Sequence, residues 1–155
     1  MKKNLQDPEN IEKLLNFIKV NPKDLSHNKF LYDCLAKRKF NISHNKMPDF
    51  EEHCKFVSEN PYRKWFLISY KYSFIGSIYF LYDNGIGLDL EPINYYLINT
   101  VFKIILSKIK PLKAIPSIRR NEFHMNISHL NKKLYKVLIN LGGVHIQNTF
   151  VFEKF

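Results

Sequence analysis

The chain has 155 residues, a net charge of +10, 45% hydrophobic and 25% charged residues, and only 5 Gly and 7 Pro. That is enough for one packed domain, and too apolar and too poor in Gly and Pro for a disordered, collagen-like or low-complexity chain. Two cysteines, Cys34 and Cys54, allow one bridge at most, and Met1-Lys2-Lys3 runs directly into the polar Asn4-Leu5-Gln6-Asp7, so no secretory leader is expected and the expected compartment is a reducing cytoplasm.

In chain order, Ile11, Leu14, Leu15 and Ile18 recur at helical spacing after the turn-forming Asp7-Pro8 and predict a first helix. Leu25, Phe30, Leu31, Cys34 and Leu35 predict a second. A polar loop from Phe40 to Asp49 follows, and Asp49 with Glu52 forms the capping box of a third helix that ends at Asn60-Pro61, since the residue before proline is pushed out of the α region. Residues 1–60 are thus read as mainly helical, and 61–155 as the sheet-bearing part of the same single domain.

Beyond Pro61 the period falls to two, with runs rich in aromatic and β-branched residues at Lys64–Tyr70, Ser73–Tyr82 and Ile86–Leu90. Lys71-Tyr72 and Asp83-Asn84-Gly85 separate them, and Asn-Gly is a hairpin signal because both residues tolerate positive φ. Three antiparallel strands are expected. Ile93, Leu97, Ile98, Val101, Phe102, Ile105 and Ile109 then define an amphipathic helix ended by Pro111, Phe123–Ile127 reads as a strand, Asn131–Leu141 as a helix capped by Gly142-Gly143, and Val144–Phe152 as a terminal strand. Strand, helix, strand implies a crossover to a parallel neighbour, so the fold class is α+β with helices on both faces of a mixed sheet. The segment Ile93 to Ile109 carries Asn94, Asn99, Lys103 and Lys108, and so is not a membrane span.

The stretch Asn41–Ile68, the strand starts Ile75-Gly76-Ser77-Ile78 and Gly85-Ile86-Gly87, and Asn126-Ile-Ser-His-Leu-Asn131 with Leu141-Gly142 resemble, in order and spacing, the GNAT superfamily of N-acyltransferases. The resemblance implies a GNAT-like sheet, an antiparallel meander followed by a crossover to a parallel, splayed strand. It implies acetyl-CoA as co-substrate and no metal, with the pantetheine amides paired to the backbone of Gly87, Leu88 and Leu90, and Asn131 and Lys132 beside the cofactor. It also implies a carboxylate near the end of the central strand, Asp89 or Glu91, that takes a proton from a small-molecule primary amine, an amino sugar being one acceptor. His44 and His53 frame the acceptor end in the resembling subgroup and are expected at the substrate.

Two family signatures are not matched. The pyrophosphate of the cofactor normally rests on a glycine-rich loop at a helix start, where backbone N–H groups reach an anion. The corresponding Glu91-Pro-Ile-Asn-Tyr-Tyr-Leu-Ile-Asn-Thr100 has no Gly and no Arg, and Leu138 stands where the family places a proton-donating Tyr. The expectation is a helix start that still offers free N–H groups, with Lys132 or Lys133 replacing the missing Arg. The alternative is a degenerate GNAT-fold interaction or regulatory protein that no longer binds acyl-CoA. His124 and His129 flank Asn126 without metal-ligand spacing, and the aromatic residues Trp65, Phe66, Tyr79 and Phe80 read as packing. The positive charge comes from 20 Lys and 4 Arg scattered along the chain, so nucleic acid is not an expected partner; a homodimer is compatible with the reading.

Overall fold

The computed structural model describes residues 8–40 and 46–150. Among them are α1 (Pro8–Leu14), β1 (Leu15–Lys19), α2 (Leu25–Lys37), α3 (Phe50–Glu59), β2 (Lys64–Tyr70), β3 (Ser73–Phe80), β4 (Ile86–Leu90), α4 (Tyr95–Lys108) and α5 (Lys132–Asn140). The four strands form one antiparallel sheet in the order β1-β2-β3-β4.

Period-two alternation sorts the strand side chains onto two faces, and the helices cover both. Ile68 and Tyr70 of β2, Ile78 and Phe80 of β3, and Ile86 and Leu90 of β4 point to one face, where they bury Ile11 of α1, Leu97, Ile98, Val101 and Ile105 of α4, and Leu134 and Val137 of α5. Trp65 and Leu67 point to the other, against Leu31 of α2 and Val57 of α3, with Phe30, Tyr62, Phe74 and Tyr79 around them. The α+β architecture with helices on both faces is the expected one.

The first helix is shorter than its apolar spacing predicts. Leu15 and Ile18 belong to β1, which pairs antiparallel with β2 from Leu15↔Tyr70 to Lys19↔Phe66. The same residues satisfy a period of two, Leu15 and Phe17 lying in the core, and the ladder offered by β2 decides between the two periods.

The turns follow local chemistry. Lys71 and Tyr72 both have positive φ, 49° and 65°, giving the two-residue hairpin between β2 and β3 the backbone twist it needs. Between β3 and β4 the loop is longer, closed by Leu81 N–H donating to Gly85 O, and Asn84 alone takes the left-handed conformation, at φ 71°. Asn84 is fully buried: its Nδ2 donates to Leu112 O and Arg120 O, and its Oδ1 accepts from Leu112 N–H. That one side chain ties the connection after α4 to the hairpin.

The fifth strand is reduced to one parallel bridge, Gly85↔His124. Ile86 N–H donates to His124 O at 2.8 Å and His124 N–H to Asn84 O at 3.2 Å. Beyond that point the two backbones part, although Phe123, Met125 and Ile127 still turn inward against the core. The terminal strand expected over Val144–Phe152 is not formed through residue 150, and Val144, Ile146 and Phe150 are exposed. Residues 125–127 make no ladder, so no paired edge receives it; Val151 and Phe152 lie outside the described residues. α5 ends as anticipated, in a Schellman motif with Gly142 at φ 88°, Gly142 N–H donating to Ile139 O and Gly143 N–H to Leu138 O.

Candidate functional site

The site is built on β4 and the helices on the Trp65 side of the sheet. Ladder parity fixes what each β4 residue offers. Leu81 N–H to Gly85 O and Glu91 N–H to Ile75 O mark the odd-numbered residues as those that bond to β3, so the N–H groups of Ile86, Leu88 and Leu90 point to the outer edge. Ile86 uses its donor on His124 O. Leu88 and Leu90 follow where the neighbouring backbone has diverged, which is the splay expected of a central strand that receives an extended amide ligand.

Gly87 is not part of that edge, because its amide faces β3. Its lack of a side chain serves another purpose: a methyl group there would coincide with the ring of Tyr79, its cross-strand partner. Tyr79 lies over Gly87, and Tyr62 stacks on Tyr79 with centroids 4.1 Å apart and planes 12° apart. Tyr62 also packs edge-on to Trp65 at 4.8 Å, and burial drives its hydroxyl pKa upward.

Asp89 shares this face with Gly87 and meets Arg38, which follows the last turn of α2. Arg38 Nε and Nη2 both donate to Oδ2 of Asp89, at 3.2 and 3.0 Å. The carboxylate is 22% exposed and the guanidinium 36%, so both can be reached from solvent. Cys34, one turn earlier on α2, stands close enough to feel Asp89; burial first and that carboxylate second push its thiol up to about 12. Glu91 lies past the end of β4, exposed and outside this group.

His53 does not reach the site. It is 5% exposed in the joint between α2 and α3, its Nε2 facing Asn28 O at 3.2 Å and its ring between Tyr32 and Phe50. Burial holds its imidazole below the ordinary value. It is a packing residue, because α3 turns that face toward α2. His44 lies outside the described residues.

The phosphate end departs from expectation. Asn94 caps α4, its Oδ1 accepting from Tyr96 N–H at 2.8 Å and Leu97 N–H at 3.2 Å. Two of the donors that an anion would use are therefore taken by the helix's own side chain. Tyr95 and Tyr96 stand half-exposed and edge-to-face beside them. Asn131 is likewise an N-cap, its Oδ1 accepting from Leu134 N–H at 3.2 Å. Lys132 and Lys133 are exposed on the first turn of α5, where no acidic residue balances the positive end of the helix dipole. The residues thus fit the pantetheine arm of coenzyme A along β4, and they do not form a backbone cradle for its pyrophosphate at α4.

Among the described residues no three His, Cys, Asp or Glu side chains gather where they could hold a metal, and no helix is long and apolar enough to cross a membrane. His124 approaches Asp83 Oδ2 at 3.8 Å, at the β3–β4 turn.

Arg38, Cys34 and Tyr62 are the site residues that sequence reasoning missed. Arg38 lies 51 positions from Asp89, so only the topology joins them. One signal was available: a bulky Tyr79 opposite Gly87 marks a ring lying over a bare backbone.

No family profile matches the sequence, and no curated protein matches it. In three dimensions the chain is similar to a single-site mutant of spermidine N-acetyltransferase SpeG from Vibrio cholerae, with a TM-score of 0.60 at 12% identity over 87% of this chain and 82% of that one. It is similar to RimL, a ribosomal L7/L12 alpha-N-protein acetyltransferase in complex with coenzyme A, with a TM-score of 0.55 at 18% identity over 84% of this chain and 80% of that one. It is also similar to a possible acetyltransferase from Clostridium difficile 630, with a TM-score of 0.55 at 17% identity over 92% of this chain and 99% of that one. The meander, the divergence after His124 and these likenesses together show that this chain has the GNAT fold.

Proposed function

We propose that the chain is an acyl-CoA-dependent N-acyltransferase, with acetyl-CoA as co-substrate, acting on the primary amine of a small molecule such as an amino sugar. The observation that carries the reading is the pairing of an unladdered strand edge, the N–H groups of Leu88 and Leu90, with a carboxylate one residue away on the strand's inner face, Asp89. In this reading those N–H groups hold the pantetheine amides, and Lys132 and Lys133 supply point charges for phosphate in place of a glycine loop.

Acyl-CoA, when bound, supplies the activated thioester. The chain's own residues bring the amine to it and manage its proton. Asp89 accepts a proton from the incoming ammonium through Oδ1, the oxygen that Arg38 leaves untouched, while the Arg38 fork on Oδ2 keeps the carboxylate from turning away. Tyr79 and Tyr62 form an apolar wall beside it that limits water. Glu91, which directly follows β4 and is exposed, remains the secondary candidate for that role.

The self-capped start of α4 favours a second reading, a GNAT-fold interaction protein that has lost acyl-CoA. Calorimetric titration with acetyl-CoA separates the two. A micromolar Kd, about −8 kcal/mol, is expected. The double variant Lys132→Glu with Lys133→Glu should lose at least tenfold, ~1.4 kcal/mol. Substituting Asn131 would confuse the result, since it caps α5. Silence at about millimolar acetyl-CoA, with no thermal shift, would establish the second reading.

A further inference from the structure

We propose that Arg38 and Asp89 act together as the acceptor-recognition pair, and that the acceptor is zwitterionic: an amine carrying its own carboxylate or phosphate close by. The inference rests on the acyltransferase reading for its purpose, and on the geometry of the pair for its content.

Arg38 does not use its fork in the usual way. A guanidinium and a carboxylate normally meet through two parallel bonds, one to each oxygen. Here Nε and Nη2 converge on Oδ2 alone. Among the described residues that leaves an acceptor, Oδ1, and a cationic donor, Nη1, uncommitted on the two members of one ion pair. Both side chains are partly open to solvent, so an entering molecule meets a negative and a positive group side by side.

Charge balance then selects the ligand. Asp89 is already neutralised by Arg38, so a bare ammonium gains little attraction from it. The charged groups that bear on Cys34, beside the pair, are Asp89, Asp33, Lys37 and Arg38, two of each sign. These balanced charges give a polycation no net attraction, and the chain as a whole carries +10. A molecule with both charges satisfies both vacant groups: its ammonium donates to Oδ1 and its anionic group accepts from Nη1. Each is a charge-assisted bond, stronger than a neutral one. The stacked pair of Tyr62 and Tyr79 over Gly87 walls the position next to Asp89, so the remainder of the acceptor packs against rings instead of water.

The test reads binding directly and uses no acyl-CoA, so its failure is distinct from failure of the acyltransferase reading. In the 15N-labelled full chain, the Nε–H resonance of Arg38 is assigned by its disappearance in Arg38→Lys. The protein is titrated with the standard amino acids and their methyl esters, with glucosamine 6-phosphate and glucosamine, and with spermidine. The expected result is a saturable shift of the Arg38 resonance by at least one zwitterion, at least tenfold stronger than by its partner lacking the anion, and loss of that preference in Asp89→Asn. The amino acid and sugar phosphate arms distinguish carboxylate from phosphate as the anion. An equal response to ester and acid, a stronger response to spermidine, or no response to any zwitterion would overturn the proposal and leave the pair as a tie between α2 and β4.

Discussion

At the scale of single residues, burial makes His53 a reporter of stability. Its imidazole is held below the ordinary value by burial, partly offset by the hydrogen bond to Asn28 O. In the unfolded chain it titrates near ~6.5. As pH falls through that value the unfolded state takes up the proton first, so stability is complete above about 6.5 and declines below it, by at most ~1.4 kcal/mol per pH unit, until the lower folded-state value is passed. Asp24, lowered by its bonds from Ser26, works in a separate window: its contribution is present above about 3.9 and lost further into acid. Urea denaturation at about pH 7.5 and about pH 5.5 should show the decline, and His53→Gln should flatten it; an unchanged slope in that variant would place the proton elsewhere. Whether such a residue is buried is not written in its neighbours. The capping box of Asp49 and Glu52 was legible because its partners lie three positions apart. His53 packing on Asn28 and Arg38 reaching Asp89 were not, because the contacts span 25 and 51 positions.

At the scale of elements, the start of α4 shows a local rule overriding a family pattern. Asn94 is an excellent cap, and a cap consumes the donors that a phosphate needs. The two uses compete, so removing the cap should act with opposite signs on stability and on acetyl-CoA binding, and glycine is the substitution that costs less stability. Asn94→Ala removes the cap and should cost about 1 kcal/mol of stability. Asn94→Gly should cost only a few tenths, while freeing Tyr96 N–H and Leu97 N–H and tightening acetyl-CoA binding by up to roughly tenfold. Calorimetry on the glycine variant checks this, and an affinity equal to the wild type would mean that phosphate never reaches this helix. The three meander strands and the α2 to α5 helices were legible from periodicity, since their apolar residues face one layer each. The start of the chain was not, because Leu15 satisfies both periods and only pairing with β2 chooses. Phe123–Ile127 and Val144–Phe152 have the alternation of strands, yet alternation records which way side chains face and carries no information on whether a partner backbone stays within hydrogen-bonding distance.

At the scale of the whole molecule, the question is what +10 is for, and the fold supplies the geometry that composition lacked. Lys29, Lys37 and Lys55 stand on α2 and α3, over the Trp65 face of the sheet, whereas Lys13, Lys103, Lys108, Lys132, Lys133 and Lys136 stand on α1, α4 and α5 over the other. Some cations are already committed, Arg38 to Asp89, Arg63 to Lys110 O, and Arg119 to Lys113 O and Tyr82 O. A duplex follows one stripe of positive charge, and cations divided between opposite faces cannot all reach one phosphate backbone. Titration of duplex DNA at rising salt should therefore show weak, sequence-independent retention with a slope equivalent to only a few phosphates, gone by ~200 mM. If acetyl-CoA binds as proposed, its affinity should fall less steeply over the same range, because uncharged N–H groups on β4 would hold the pantetheine arm. A nanomolar DNA complex that persists at ~200 mM salt would show instead that the lysines of one face act together as a single stripe.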